Sequence, residues 1–178
     1  MSIHENAEKL LHDLTPVLTK YGEAAVTGSF YMDMMAWNDL DIYLCPDEAR
    51  FDIFSLMADV NALLHPIRLE GMAQPEQGRI FYSVETMFMG ERWNVDIWVK
   101  SREEIRESLE YCASILRRVQ EESELKEIIL SVKRRLISMQ LYGFDKHHAR
   151  HYHSVDVYSA VLNESVRSPE EFLLRHPL

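Results

Sequence analysis

The chain has only two cysteines in 178 residues, Cys45 and Cys112, far apart in sequence and each set among apolar neighbours. That count excludes a disulfide framework, and the pair reads as reduced core thiols. Glycine and proline are scarce, at six each, which excludes the low-complexity and disordered classes; the 47% of hydrophobic residues supplies a packed core. No apolar run approaches the roughly 20 residues that a membrane-spanning helix needs. The opening MSIHENAEKLLHDL lacks the apolar centre of a secretory signal. A cytoplasmic protein that does not span a membrane is expected.

Positive charge is also in short supply. The 19 Lys and Arg face 29 Asp and Glu, a formal net charge of −10. On average such a field repels a phosphate backbone, so nucleic acid is not an expected partner, whereas a metal ion or a cationic substrate is compatible with it. The imbalance is local: residues 1–100 carry 16 acidic and 7 basic side chains, residues 101–150 carry 9 and 10. An acidic first half needs a reason, and a cation site supplies one.

The patterning predicts a helix, a mixed α/β section to about residue 100, and then helices only. Ile3, Leu10, Leu11, Leu14, Val17 and Leu18 recur at helical spacing behind a Ser2/Glu5 capping box, with Gly22 as the stop. Glu23–Thr27 reads as a short buried strand running into Gly28-Ser29, where a short helix opens. Residues 39–44 alternate polar and apolar and predict a half-buried strand. A helix follows from Pro46-Asp47, with Phe51, Phe54, Met57, Val60 and Leu64 on one side and Pro66 as its limit. Residues 71–78 read as a loop. Two strands, 79–88 and 93–99, are joined by a hairpin through Met89-Gly90-Glu91-Arg92. Helices are then expected around Ile105–Val119, around Leu125–Met139 and from about His147 to Asn163, with a short turn in 169–178. The fold class is α/β (α+β), with a catalytic core in 1–100 and a helical section in 101–178.

Chemistry concentrates in three places. Asp39 and Asp41 stand at i and i+2 of one strand, so their side chains share a face about 6.5–7 Å apart. Two carboxylates so placed grip one cation or hold a pair of them. Asp96 lies mid-strand in Trp93-Asn94-Val95-Asp96-Ile97-Trp98-Val99, where a carboxylate is costly to bury without a cation or good hydrogen bonds. An Arg partner such as Arg79 or Arg92 is the plainer explanation. Gly28-Ser29 ends a strand; a glycine lets a phosphate approach the backbone, and a helix opening there offers N–H donors. Three carboxylates suit magnesium, which takes a few oxygen ligands from protein and the rest from phosphate and water.

Taken together, Thr27-Gly28-Ser29, a nine-residue gap, Asp39-Leu40-Asp41-Ile42 and a later Val95-Asp96-Ile97 resemble the signature of the polymerase-beta-like nucleotidyltransferase superfamily, over roughly residues 20–100. The helical section resembles in general shape that of the small aminoglycoside and lincosamide nucleotidyltransferases. The resemblance implies a small mixed β-sheet core with a C-terminal helical bundle, and transfer of a nucleoside monophosphate, AMP from ATP or from another nucleoside triphosphate, to an acceptor hydroxyl. It implies that Asp39 and Asp41 bind two Mg2+ ions, that Asp96 binds the catalytic one and helps deprotonate the acceptor, and that Gly28 and Ser29 cradle the β- and γ-phosphates. The expected partners are a nucleoside triphosphate and a small hydroxylated acceptor of cationic character; a homodimer is allowed. The chain departs from the signature in having Trp37-Asn38 where many relatives place Ser before the first Asp, and in having no base in residues 30–36. That departure favours an alternative, a non-catalytic member that binds nucleotide or a protein partner.

Other features have plainer readings. His147, His148, His151 and His153 form a loose cluster more easily read as solvated, or as lining a substrate pocket, than as a zinc site. Glu85 is a spare general-base candidate. Lys133-Arg134-Arg135 reads as an exposed helix face, and Met32, Met34 and Met35 as core. Of Trp37, Trp93 and Trp98, at least two are expected to pack in the core.

Overall fold

The computed structural model describes residues 2–74, 79–143 and 151–178. It divides into two compact units, Met1–Cys112 and Ala113–Leu178. In the first, helix α1 (Ile3–Leu18) is followed by strand β1 (Gly22–Val26), helix α2 (Gly28–Tyr31), strand β2 (Asp39–Pro46), helix α3 (Ile53–Leu64), and strands β3 (Arg68–Gln74), β4 (Arg79–Phe88) and β5 (Glu91–Val99). The five strands form one mixed sheet in the order β1-β2-β5-β4-β3. Only the central β2–β5 pair is parallel; the other three pairs are antiparallel.

Alternation in β2 and β5 decides which side of the sheet is core. Leu40, Ile42 and Leu44 of β2 and Trp93, Val95 and Ile97 of β5 are buried, and they pack with Ala7, Leu10, Leu14 and Leu18 of α1 and Leu56, Val60 and Leu64 of α3. Complete burial of each Leu or Ile side chain stabilises by about 1.5–3 kcal/mol. The other side of these strands therefore presents Asp39, Asp41, Asn94 and Asp96. α1 is set by the Ser2/Glu5 capping box, Ser2 N–H donating to Glu5 Oε2 (2.6 Å) and Glu5 N–H to Ser2 Oγ (3.2 Å). It ends at Leu18, and Gly22 opens β1 rather than stopping the helix.

Three elements differ from the sequence expectation. β3 occupies residues expected to be loop, because Arg68–Gln74 is an edge strand ordered by its ladder with the long β4 and not by its own alternation. α3 starts at Ile53, since Asp52 is its N-cap and accepts from Ser55 N–H at 2.8 Å. Its Phe54, expected on the inner side, is 76% exposed; Leu56 faces the core instead. The hairpin is tighter than expected: Met89 and Gly90 alone make the turn, both at positive φ (52° and 82°), so that Phe88 pairs with Glu91.

Helix α4 (Arg102–Glu121) crosses from one unit to the next, and the second unit continues with α5 (Glu124–Ser138), α6 (Ser154–Asn163) and α7 (Pro169–Arg175). Within it α5 packs on α6 and α7, burying Leu125, Ile129, Val132 and Leu136 with Val157, Val161 and Phe172. Lys133, expected on an exposed face, is wholly buried and donates to Tyr158 Oη at 2.7 Å, whereas Arg134 and Arg135 are exposed. The helix expected from His147 is described from Ser154; residues 144–150, with His147 and His148, lie outside the described residues. Among the described residues no helix is long and apolar enough to cross a membrane.

Candidate active site

The register of the central strands gathers the predicted aspartates. β2 and β5 run parallel with Asp41 opposite Asp96 and Asp39 opposite Asn94, so all four side chains rise from neighbouring positions on one face. Across β5, the two-residue hairpin sets Ser83 opposite Asp96 and Glu85 opposite Asn94. The face is tied by hydrogen bonds: Asn94 Nδ2 donates to Asp39 Oδ1 (2.7 Å) and to Asp96 Oδ1 (2.9 Å). Ser83 Oγ donates to Asp96 Oδ1 at 2.6 Å and lies 3.0 Å from Asn94 Oδ1.

The Gly28-Ser29 turn comes to the same place by a different route. Gly28 follows β1 with φ +63°, and a Cβ there would meet Asp41 Oδ2 at 2.7 Å. Glycine is required twice over, by the left-handed backbone and by the Asp41 carboxylate beside it. Thr27 N–H donates to Asp41 C=O at 3.1 Å, extending the β1–β2 ladder up to the turn. The helix that opens there, α2, begins at Gly28 and lasts four residues. One turn sums few peptide dipoles, so the phosphate-binding potential of this corner rests on the open backbone at Gly28 and the Ser29 hydroxyl more than on a macrodipole.

Burial lifts the Asp96 carboxyl above its ordinary pKa; hydrogen bonds from Ser83 and Asn94 pull it back, and the Glu70 charge adds to the rise. Among the described residues no cationic side chain is among these influences. Of the two arginines that would explain Asp96 blandly, Arg92 is engaged elsewhere, pairing with Glu85, and the Arg79 side chain lies outside the described residues. That contact also accounts for Glu85, the spare base candidate, which sits on the Asn94 side of the sheet.

The donor set is carboxylate and amide oxygen throughout, the chemistry of a hard cation such as Mg2+, and Asp96 lacks a cationic partner among its strongest influences. The residues therefore fit such an ion. Among the described residues, however, no three His, Cys, Asp or Glu side chains are drawn together as a ready-made metal cage. Asn94 stands between Asp39 and Asp96 and uses one oxygen of each.

A cavity of about 480 Å³ lies beside the start of β2, lined by Ile3 and Asn6 of α1 and by Trp37, Asn38, Arg92, Trp93 and Asn94 among others; none of the three aspartates lines it, and Asn94, which donates to Asp39, is its link to the carboxylate row. Asn38, noted for standing where relatives carry Ser, donates to Glu91 Oε2 (3.1 Å) and Arg92 C=O (3.0 Å) and so closes one wall. Trp37 is 38% exposed there, Trp93 is buried, and Trp98 is tilted against Phe81 at 4.1 Å between centroids. Met32, Met34 and Met35 are core. His151 Nε2 lies 3.2 Å from Gln140 C=O, and the His153 backbone N–H donates to Asp156, a helix-start contact.

Sequence reasoning missed Ser83, Asn94 as a bridge, and Cys112. The Cys112 thiol is buried beside Gly28 and Asp41: burial and the Asp41 charge raise its pKa, and the Gly28 N–H opposes the rise. Ser83 and Asn94 were within reach of the sequence. A two-residue turn at Met89-Gly90 counts back to Ser83 opposite Asp96, whereas the expected four-residue turn sets Glu85 there.

No family model and no curated protein matches this sequence. Solved structures do match in fold. A Cid1 poly(U) polymerase, described for UTP selectivity and with Mg and 3′-dATP bound, superimposes with a TM-score of 0.66 at 16% identity over 89% of this chain. A cytoplasmic RNA terminal U-transferase gives 0.65 at 16% identity, also over 89%. A non-canonical poly(A) polymerase complex, GLD-2 with GLD-3, gives 0.58 at 12% identity over 97%. The chain spans about half the length of these proteins, 48%, 47% and 58% respectively. At such identities the likeness establishes the fold, a nucleotidyltransferase core. The narrower resemblance to antibiotic nucleotidyltransferases gains no support, since these neighbours are poly(U) and poly(A) polymerases and an RNA terminal U-transferase.

Proposed function

We propose that the chain transfers a nucleoside monophosphate from a nucleoside triphosphate to an acceptor hydroxyl. The observation that carries this reading is the placement of Asp39 and Asp41 of β2 and Asp96 of the paired β5 on one sheet face beside the Gly28 turn. Asp39, Asp41 and Asp96 would hold Mg2+, which when bound offsets charge on the phosphates and on the attacking and leaving oxygens. Gly28 leaves room for the triphosphate at the Asp41 end and Ser29 offers it a hydroxyl. The acceptor belongs in the cavity lined by Asn38 and Asn94. A new bond forms between the acceptor oxygen and the α-phosphorus while the bond to the β-phosphate oxygen breaks and pyrophosphate departs. Asp96, whose carboxyl burial raises above its ordinary value, takes the hydroxyl proton. The rate gain asked of the protein is mainly positioning and electrostatics.

An RNA 3′ end is the acceptor favoured by the fold neighbours, which include a poly(U) polymerase and an RNA terminal U-transferase. On this reading nucleic acid becomes a partner, against the expectation drawn from net charge. A second reading, a small hydroxylated amine, is favoured by the charge of −10 and by the acidic Glu85 and Glu91 in the cavity wall. The test is incubation with Mg2+ and α-labelled ATP, UTP, GTP or CTP, with a short RNA ending in a 3′-hydroxyl or a 3′-deoxy nucleotide, or with a panel of hydroxylated amines. Label should join one acceptor class and only through its hydroxyl, with Asp41→Asn inactive. Triphosphate binding without transfer to any acceptor identifies the non-catalytic alternative. Transfer undiminished in Asp41→Asn removes the proposed site.

A further inference from the structure

Asn94 engages two of the proposed cation ligands at once. Its single Nδ2 donates to Asp39 Oδ1 on the neighbouring strand and to Asp96 Oδ1 two residues along its own. Its Oδ1 lies 3.0 Å from the Ser83 hydroxyl, whose one proton is within reach of both that oxygen and Asp96 Oδ1, the latter nearer at 2.6 Å. The position is fixed by the sheet: Asn94 is the cross-strand partner of Asp39 and shares a face with Asp96.

The chemistry of an amide suits this place in a way other side chains do not. Two half-buried carboxylates repel each other and want donors. A lysine would satisfy them permanently and shut out a cation, an aspartate would add to the repulsion, and an apolar residue would leave both acids unmet. An amide satisfies them without adding a charge of its own, through two hydrogen bonds that an entering cation can exchange. The oxygens it uses are ones a divalent cation needs.

We propose that Asn94 is a positioning residue that acts as a placeholder: it holds Asp39 and Asp96 together and gives up their oxygens when a divalent cation binds. The inference rests on the reading of these two aspartates as cation ligands. It places a cost on metal entry in return for a site already assembled, and it makes Asn94 a determinant of how tightly the ion is held.

The test is calorimetric titration of MgCl2 into the full chain as wild type, Asn94→Ala and Asn94→Leu, with thermal unfolding of each followed with and without the ion. Leucine is close in size and keeps the strand packed should alanine fail to fold. The folded variants should bind Mg2+ about three- to tenfold more tightly than wild type, the gain from no longer exchanging modest hydrogen bonds. Without the ion they should unfold at lower temperature than wild type, and the gap should narrow as Mg2+ saturates. Unchanged or weaker Mg2+ binding in the folded variants overturns the placeholder role, as does failure of both to fold, which makes Asn94 a purely structural residue. Failure of the wild type itself to bind Mg2+ is a different result and overturns the cation reading beneath it.

Discussion

At Gly28 two demands coincide, a backbone at φ +63° and an Asp41 oxygen 2.7 Å from where a Cβ would stand. Gly28→Ala should therefore lose about 1–3 kcal/mol of stability, read by chemical denaturation, and lose triphosphate affinity with it. A variant as stable as wild type would remove the close approach argued for this corner. Asp96 makes the opposite prediction. Its carboxyl is held up by burial, so the ionised form is a burden on the metal-free fold. Asp96→Asn should raise the unfolding temperature without Mg2+ while abolishing transfer, the usual conflict between stability and a working site; a fall in both would make Asp96 structural. The shared face of Asp39 and Asp41 was legible from strand alternation, Asp96 from its place within an apolar strand, and Gly28 from its place after the first strand. Asn94 and Ser83 were not, because an Asn or a Ser on a half-buried strand is ordinary until the register shows what it faces.

Elements with their own periodicity were readable. α1, β2, β5 and α5 carry apolar repeats of the matching period, and the Ser2/Glu5 box marked the start of α1. β3 was hidden because an edge strand with Gly71 at its centre has little propensity of its own, and its order comes from pairing with β4. The start of α3 was misplaced because Asp47 and Asp52 both look like caps, and only Asp52 accepts from a helical N–H. That cap has a testable pH signature. The Ser55 side chain and backbone donate to Asp52 and hold its pKa below the ordinary carboxylate value. The folded value is thus below the unfolded one, so its contribution is present above the ordinary carboxylate range and lost as pH falls through the folded value. Thermal unfolding of Asp52→Ala should accordingly fall short of wild type near neutrality and converge on it in acid. A gap that persists unchanged at the lowest pH would deny the cap this role.

On the scale of the whole chain, sequence carried the fold class and the order of α/β section before helices, since both follow from where apolar periodicity changes from two to about 3.6. It did not carry the acceptor. Net charge argued against nucleic acid, but an average over a whole molecule says little about one local surface. On the described face Arg68 and Arg92 are tied to Glu70 and Glu85, beside the row of aspartates. That row is the account's central claim, and its most direct test is calorimetric titration of a non-hydrolysable nucleoside triphosphate into wild type and Asp41→Asn, each with and without Mg2+. Binding by wild type that depends on Mg2+ and disappears in Asp41→Asn is the predicted result. Binding that needs no metal, or that survives the substitution unchanged, contradicts it.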